Sequence, residues 1–156
     1  MHLTSAFAVT MLVANVSLFG ESGPAQAAAP DACALFTLEE AGKATGRTFR
    51  RARPDKGPEG TMCAFIGGTG GNLNVSLSPS SSKKTLDDFR KLLVEQGEKI
   101  EPVSGLGDEA FYWGDRLHVR TGSRLLVIYN GDSSQPSAKV RPEILALAKL
   151  GVTKLK

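Results

Sequence analysis

Apolar residues recur at helical spacing in three stretches of the chain and at strand spacing between them. Leu38, Ala41 and Thr45 share one helical face. Thr37 and Glu40 stand three residues apart at its start, the spacing of a capping box, and Gly46 supplies a left-handed terminator. A second stripe, Leu86, Phe89, Leu92 and Leu93, begins near Thr85 with Asp88 in the box position and ends at Gly97, leaving Arg90 and Lys91 outside. The third contains Ile144, Leu145, Leu147 and Ala148 and ends at Gly151. Pro142 suits a first turn, which places the start of that helix near Lys139 to Arg141 rather than at Ser137.

Strands fill the rest. Residues 48–52 form a short candidate, and 62–66 and 73–78 flank a Gly-rich segment, Gly67 to Asn72, that reads as a hairpin loop. Residues 99–103 are a further candidate. Residues 109–113 and 116–120 flank Gly114-Asp115, a two-residue turn of the kind tight hairpins need. Residues 124–129 follow after Thr121-Gly122-Ser123. Strands joined by such short turns pair antiparallel, so the pattern predicts an α+β domain: a mostly antiparallel sheet of six to seven strands with three helices, in the order helix, strands, helix, strands, helix. Leu125 to Tyr129 lacks polar alternation, which predicts a central strand covered on both sides.

The N-terminal segment reads as an address. Leu3 to Phe19 is apolar, Gly20 to Pro24 break the run, and Ala25-Gln26-Ala27 supplies the small residues a signal peptidase requires. Cleavage after Ala27 leaves residues 28–156 as a single domain in the secreted or periplasmic space. An uncleaved anchor is disfavoured because the run is short of the roughly 20 apolar residues a span needs. All 19 basic residues lie beyond the cut and Glu21 does not, so the net charge becomes +4 against +3 for the whole chain. Cys33 and Cys63 both remain, and an even pair in an exported chain predicts a disulfide. Closing a loop of that size is worth roughly 3–4 kcal/mol by chain-entropy arguments. A lipid anchor on Cys33 is disfavoured, because Pro30-Asp31-Ala32 makes a poor lipidation box.

Asp31-Ala32-Cys33-Ala34-Leu35-Phe36-Thr37, a second cysteine at 63 before a hairpin, and Gly105-Leu106-Gly107-Asp108-Glu109-Ala110 occur in that order. In this the chain resembles a group of small exported bacterial proteins and lipoproteins of unknown function. They open with a Cys-Ala-Leu helix start and carry a Gly-Leu-Gly-Asp-Glu-Ala segment before a strand. The resemblance implies an envelope or secreted α+β domain and carries no enzymatic activity with it.

Composition narrows the chemistry. One histidine beyond the leader and a cysteine pair taken up by a bridge give no ligand cluster for zinc, copper or haem, so no metal or cofactor is expected. No Gly-x-Ser-x-Gly elbow occurs, and Gly67 to Gly71 lacks the ending of a phosphate loop. His118 is the one candidate for acid–base work. Alternation puts it on one strand face with Arg116 and Arg120, where two cations lower its pKa. With Glu109 across the hairpin, this set defines an alternative reading as a small nuclease-like hydrolase; the plain reading is a solvated strand face. Arg47, Arg50, Arg51, Arg53 and Lys56 cluster within ten residues but carry little aromatic interleaving, so a solvated or anionic-envelope-facing segment is expected and nucleic acid is not.

Tyr112 and Trp113 at the hairpin tip, with Arg116, His118 and Arg120, form the candidate recognition patch, since Trp, Tyr and Arg dominate binding hot spots. The leading expectation is therefore a non-catalytic binding module whose partner is an envelope or extracellular protein or an anionic ligand. One mass spectrum of the secreted protein checks the processing. The expected chain begins at Ala28, weighs two hydrogens less than its reduced form, and carries no acyl group.

Overall fold

The computed structural model describes residues 31–57, 60–68, 70–79 and 83–156; the expected signal segment, residues 1–27, lies outside them. A short helix, α1 (Ala32–Leu35), precedes α2 (Leu38–Thr45). Three strands follow, β1 (Arg51–Gly57), β2 (Gly60–Ile66) and β3 (Leu73–Pro79). After α3 (Lys83–Glu95) come β4 (Ile100–Pro102), β5 (Glu109–Trp113), β6 (Arg116–Thr121) and β7 (Arg124–Asn130), then α4 (Ser137–Leu155). The seven strands make one sheet in the order β1-β2-β3-β7-β6-β5-β4, and every neighbouring pair is antiparallel. The class is α+β, as the pattern predicts, with one more helix.

The extra helix is too short to show periodicity. The Asp31 carboxylate caps it, accepting from the Cys33 N–H at 2.9 Å. Cys33 is bonded to Cys63 of β2, and the Ala32 N–H donates to Thr61 Oγ1 at 2.8 Å, so α1 is tied to the sheet at two points. The capping box of α2 forms as its spacing requires. Thr37 Oγ1 accepts from the Glu40 N–H at 3.1 Å, and Glu40 Oε2 accepts from the Thr37 N–H at 2.9 Å.

Several boundaries differ from the sequence pattern: α3 begins at Lys83, so that Thr85 lies within it, β2 begins at Gly60 and β4 spans only Ile100–Pro102, and β1 and α4 differ most. Strand β1 runs over 51–57 rather than 48–52, because its extent is set by the partner: Arg51 pairs with Ile66 and Gly57 with Gly60. It is an edge strand exposed along most of its length, and its Arg, Lys and Pro54 are residues that blunt an open edge. Helix α4 begins at Ser137 and runs past Gly151 to Leu155, with Pro142 inside it. Tertiary contacts hold those first turns despite the proline. Arg141 donates to Glu101 of β4 at 2.8 Å, to Asp115 at 3.2 Å and to the Gly114 carbonyl at 2.8 Å. Gly151 does not end the helix; it lets the helix approach the sheet. A Cβ there would stand 2.9 Å from both Leu126 Cδ2 and Phe36 Cζ.

The main core lies on one face of the sheet. Leu73, Val75 and Leu77 of β3, Leu126 and Ile128 of β7, and Leu117 and Val119 of β6 form a continuous apolar surface, each at most 1 % exposed. Val140, Ile144, Leu147 and Ala148 of α4 pack on it, with α1 and α2 alongside. Each fully buried Leu or Ile contributes roughly 1.5–3 kcal/mol of apolar transfer. On the opposite face α3 builds a smaller core from Leu86 and Leu93 against Phe111, with Phe89, Ile100, Trp113 and Leu125 packed around it.

Arg47, expected within a basic surface cluster, is buried instead, with 4 % of its side chain exposed. Its guanidinium pairs with Glu143 of α4 and donates to the Gly70 carbonyl at 2.8 Å and Asn130 Oδ1 at 3.0 Å. One side chain thus joins the end of α2, the β2–β3 loop, the end of β7 and α4.

The Gly105 to Ala110 segment is a structural joint. Leu106 is buried, the Asp108 N–H donates to the Arg120 carbonyl at 2.8 Å, and Asp108 Oδ2 accepts from the Gly122 N–H at 2.7 Å. Gly107 has φ +63°, and a Cβ there would run into the Arg120 carbonyl. Both the positive φ and that fixed backbone atom oppose a side chain. Gly107→Ala is expected to lower stability by about 1–3 kcal/mol, read as a lower urea midpoint at unchanged m-value.

Candidate functional site

Cross-strand register decides which candidate residues meet. Trp113 faces Arg116 across the β5–β6 turn, and Arg116 faces Tyr129 of β7. Directly opposite residues share a face of the sheet, so these three stand in one row. The Arg116 guanidinium sits 4.6 Å from the Tyr129 ring centroid and 5.9 Å from that of Trp113. Among the described residues it has no carboxylate partner and no hydrogen bond. Trp113 is half-buried; its indole N–H donates to Glu98 Oε2 at 2.9 Å, and its ring meets Phe89 of α3 edge-on at 5.9 Å.

Tyr112 does not join this patch. Successive strand residues point to opposite faces, and Tyr112 turns to the α4 side, where it is buried. Its hydroxyl donates to the Arg141 carbonyl at 2.9 Å, and the Arg141 guanidinium lies 4.7 Å over its ring. Burial raises its pKa, against the opposing pull of Arg141. Tyr112 therefore anchors α4 to the hairpin.

Arg116, His118 and Arg120 do share a face, as alternation predicts, but α3 covers its middle. His118 is 7 % exposed, so it does not belong to a solvated strand face. Its ring stacks on Phe111 with centroids 5.0 Å apart, and Phe89 and Trp113 lie at 5.7 and 6.3 Å. Neither ring nitrogen has a hydrogen-bond partner among the described residues. Burial first, and the Arg116 charge second, push its pKa down to about 4. The imidazole is neutral at physiological pH and shielded from a substrate.

Arg120 and Glu109 are also drawn into the frame. They face each other across β5 and β6; Arg120 donates to Asp108 Oδ2 at 3.1 Å, and Glu109 pairs with Arg90 of α3. Glu109 is opposite Arg120, whereas His118 is opposite Phe111. Tyr129 enters the row without having been singled out from sequence. Register counted outward from Gly122-Ser123, with Thr121 opposite Arg124, would have placed it opposite Arg116.

A cleft of about 450 Å³ opens beside this row, between the β5–β6 turn and the loop leading into α4. Trp113, Arg116 and Tyr129 line it together with Asn130, Ser133 and Gln135. Two carboxylates also reach it, and both are engaged. Asp115 accepts from Ser137 Oγ at 2.9 Å and from Arg141. Asp132 accepts from the Ser134 N–H at 3.0 Å and from Gln135 at 3.5 Å. Among the described residues, no group of three or more His, Cys, Asp or Glu comes together to hold a metal ion, and no helix is long and apolar enough to cross a membrane.

These features define an α+β domain with a polar, aromatic-walled cleft at one end of its sheet. No protein-family model matches the chain, and no match is found among curated proteins.

The buried imidazole has a measurable consequence. Its folded pKa, about 4, lies below the unfolded value near 6.5, so the unfolded state binds the extra proton first. Its contribution to stability is fully present above about pH 6.5 and is lost as pH falls toward 4, by about 3 kcal/mol at most. Between pH 7 and 4.5 the urea midpoint should fall in the native protein, and His118→Phe should flatten that part of the profile. An unchanged slope in the variant would assign the acid sensitivity to other groups.

Proposed function

We propose that the protein is an exported, non-catalytic binding module that works in the periplasm or outside the cell. One observation carries the reading: Arg116 is held between Trp113 and Tyr129 at a cleft mouth, with its hydrogen-bonding edge unpaired among the described residues. A guanidinium stacked on aromatic rings has lost part of its conformational freedom before a ligand arrives, which favours recognition. The Cys33–Cys63 bridge and the N-terminal leader pattern support export. The binding surface narrows to Trp113 and Arg116 of the expected residues, with Tyr129 added; Tyr112, His118 and Arg120 position the elements beneath it. A hydrolase built on His118 has less support, because its ring is covered by α3 and Glu109 and Arg120 are engaged with Arg90 and Asp108.

Retention of the purified protein on immobilised cell-envelope and extracellular material tests this reading. Arg116→Met should keep the native circular dichroism and thermal midpoint yet lose retention by about tenfold, and Trp113→Ala should lose retention as well but with a lower thermal midpoint, because its ring also packs on Phe89. Equal retention by native protein and folded variants would place recognition elsewhere on the surface.

A further inference from the structure

We infer that the cleft beside Arg116 takes a sugar bearing a carboxylate, as the acidic unit of an oligosaccharide chain; this rests on the binding reading above and names its ligand. The hydrogen bonds of the two cleft carboxylates come first. Asp115 is satisfied by Ser137 and Arg141, and Asp132 by its own loop. Arg116 is then the cation left without an acid among the described residues lining the cleft. A guanidinium edge offers two parallel N–H donors, the geometry that a carboxylate fills bidentately.

The remaining lining selects against a bare ion. Trp113 and Tyr129 flank the guanidinium and present C–H and ring surface well beyond what a small anion can touch. Ser133 adds a hydroxyl and Gln135 a planar amide, which suit a ligand carrying several hydroxyls around a compact ring, while the Asn130 amide is committed to Arg47 and the Asp132 carbonyl. A volume of about 450 Å³ falls within the roughly 300–1,000 Å³ of small-molecule sites. A membrane surface fits poorly. The large apolar side chains standing exposed among the described residues, Leu92 and Val94, are on α3 and not at the cleft rim.

The chain contains a single tryptophan, and it is the one in the cleft, so intrinsic fluorescence reports occupancy directly. The intact protein is titrated separately with a glucuronic-acid oligosaccharide, a neutral glucose oligosaccharide of equal length, and inorganic phosphate, with calorimetry as a second readout. The acidic oligosaccharide should shift Trp113 emission saturably, and Arg116→Met should weaken its binding by about tenfold or more. Arg53→Met, on the exposed β1 edge, should leave that affinity unchanged.

Equal binding of the neutral oligosaccharide would overturn the carboxylate requirement. A response to phosphate alone would overturn the sugar while leaving Arg116 as a recognition residue. Silence toward all three probes, with retention on envelope material intact, would overturn this ligand and not the binding role. Loss of retention in the native protein would overturn both.

Discussion

The apolar surface that crosses β3, β7 and β6 on one side of the sheet has to be dried, and α4 is the element that dries it. Leu73, Val75, Leu77, Leu117, Val119, Leu126 and Ile128 all point to that side, and no strand can shift by one residue without turning its share of them outward. Register is therefore fixed from the core, and everything on the opposite face follows from it. The helix must also come close, which explains a glycine at position 151 where a Cβ would press on Leu126 and Phe36. It must begin early enough for Arg141 to reach Glu101 and Asp115, with a proline tolerated one residue later.

The second face is covered unevenly. Helix α3 packs its apolar stripe against β4 and β5 and against Leu125 of β7, which encloses His118 among aromatic rings. Val127 and Tyr129 of β7 lie on the same side but are only partly buried. The same strand face thus changes character along β6: His118 is sealed beneath α3, and Arg116, two residues earlier, stands at the exposed end of the row. Two residues of like environment in the sequence end in opposite environments because α3 covers one and leaves the other exposed.

Polar side chains complete the joints that apolar packing leaves open. Buried Arg47 links four segments through Glu143, the Gly70 carbonyl and Asn130. Lys154 near the end of α4 returns to α2, donating to Glu40 at 2.7 Å and to the Leu35 carbonyl at 3.0 Å, and that contact holds the Glu40 carboxyl below its usual range. Glu40 therefore both caps its own helix and fixes the far end of α4. The Gly105 to Ala110 segment does comparable work for the other half of the sheet, through Asp108 and the close passage of Gly107 beneath Arg120.

Much of this was determined by the chain's own local chemistry. The capping box at Thr37 and Glu40, the two-residue turn at Gly114-Asp115 and the alternation of β5 and β6 are short-range effects, and they appear where the sequence puts them. The α+β class follows from the same short turns. The ends of β1 and α4 were not legible, because each is set by distant partners: Ile66 for the start of β1, and Glu101 and Asp115 for the start of α4. The candidate site divides in the same way. Alternation alone sets Arg116, His118 and Arg120 on one face and separates Tyr112 from Trp113. Which of them remains available was decided only when α3 crossed the sheet, because burial depends on what lies above a residue and not on its neighbours in sequence.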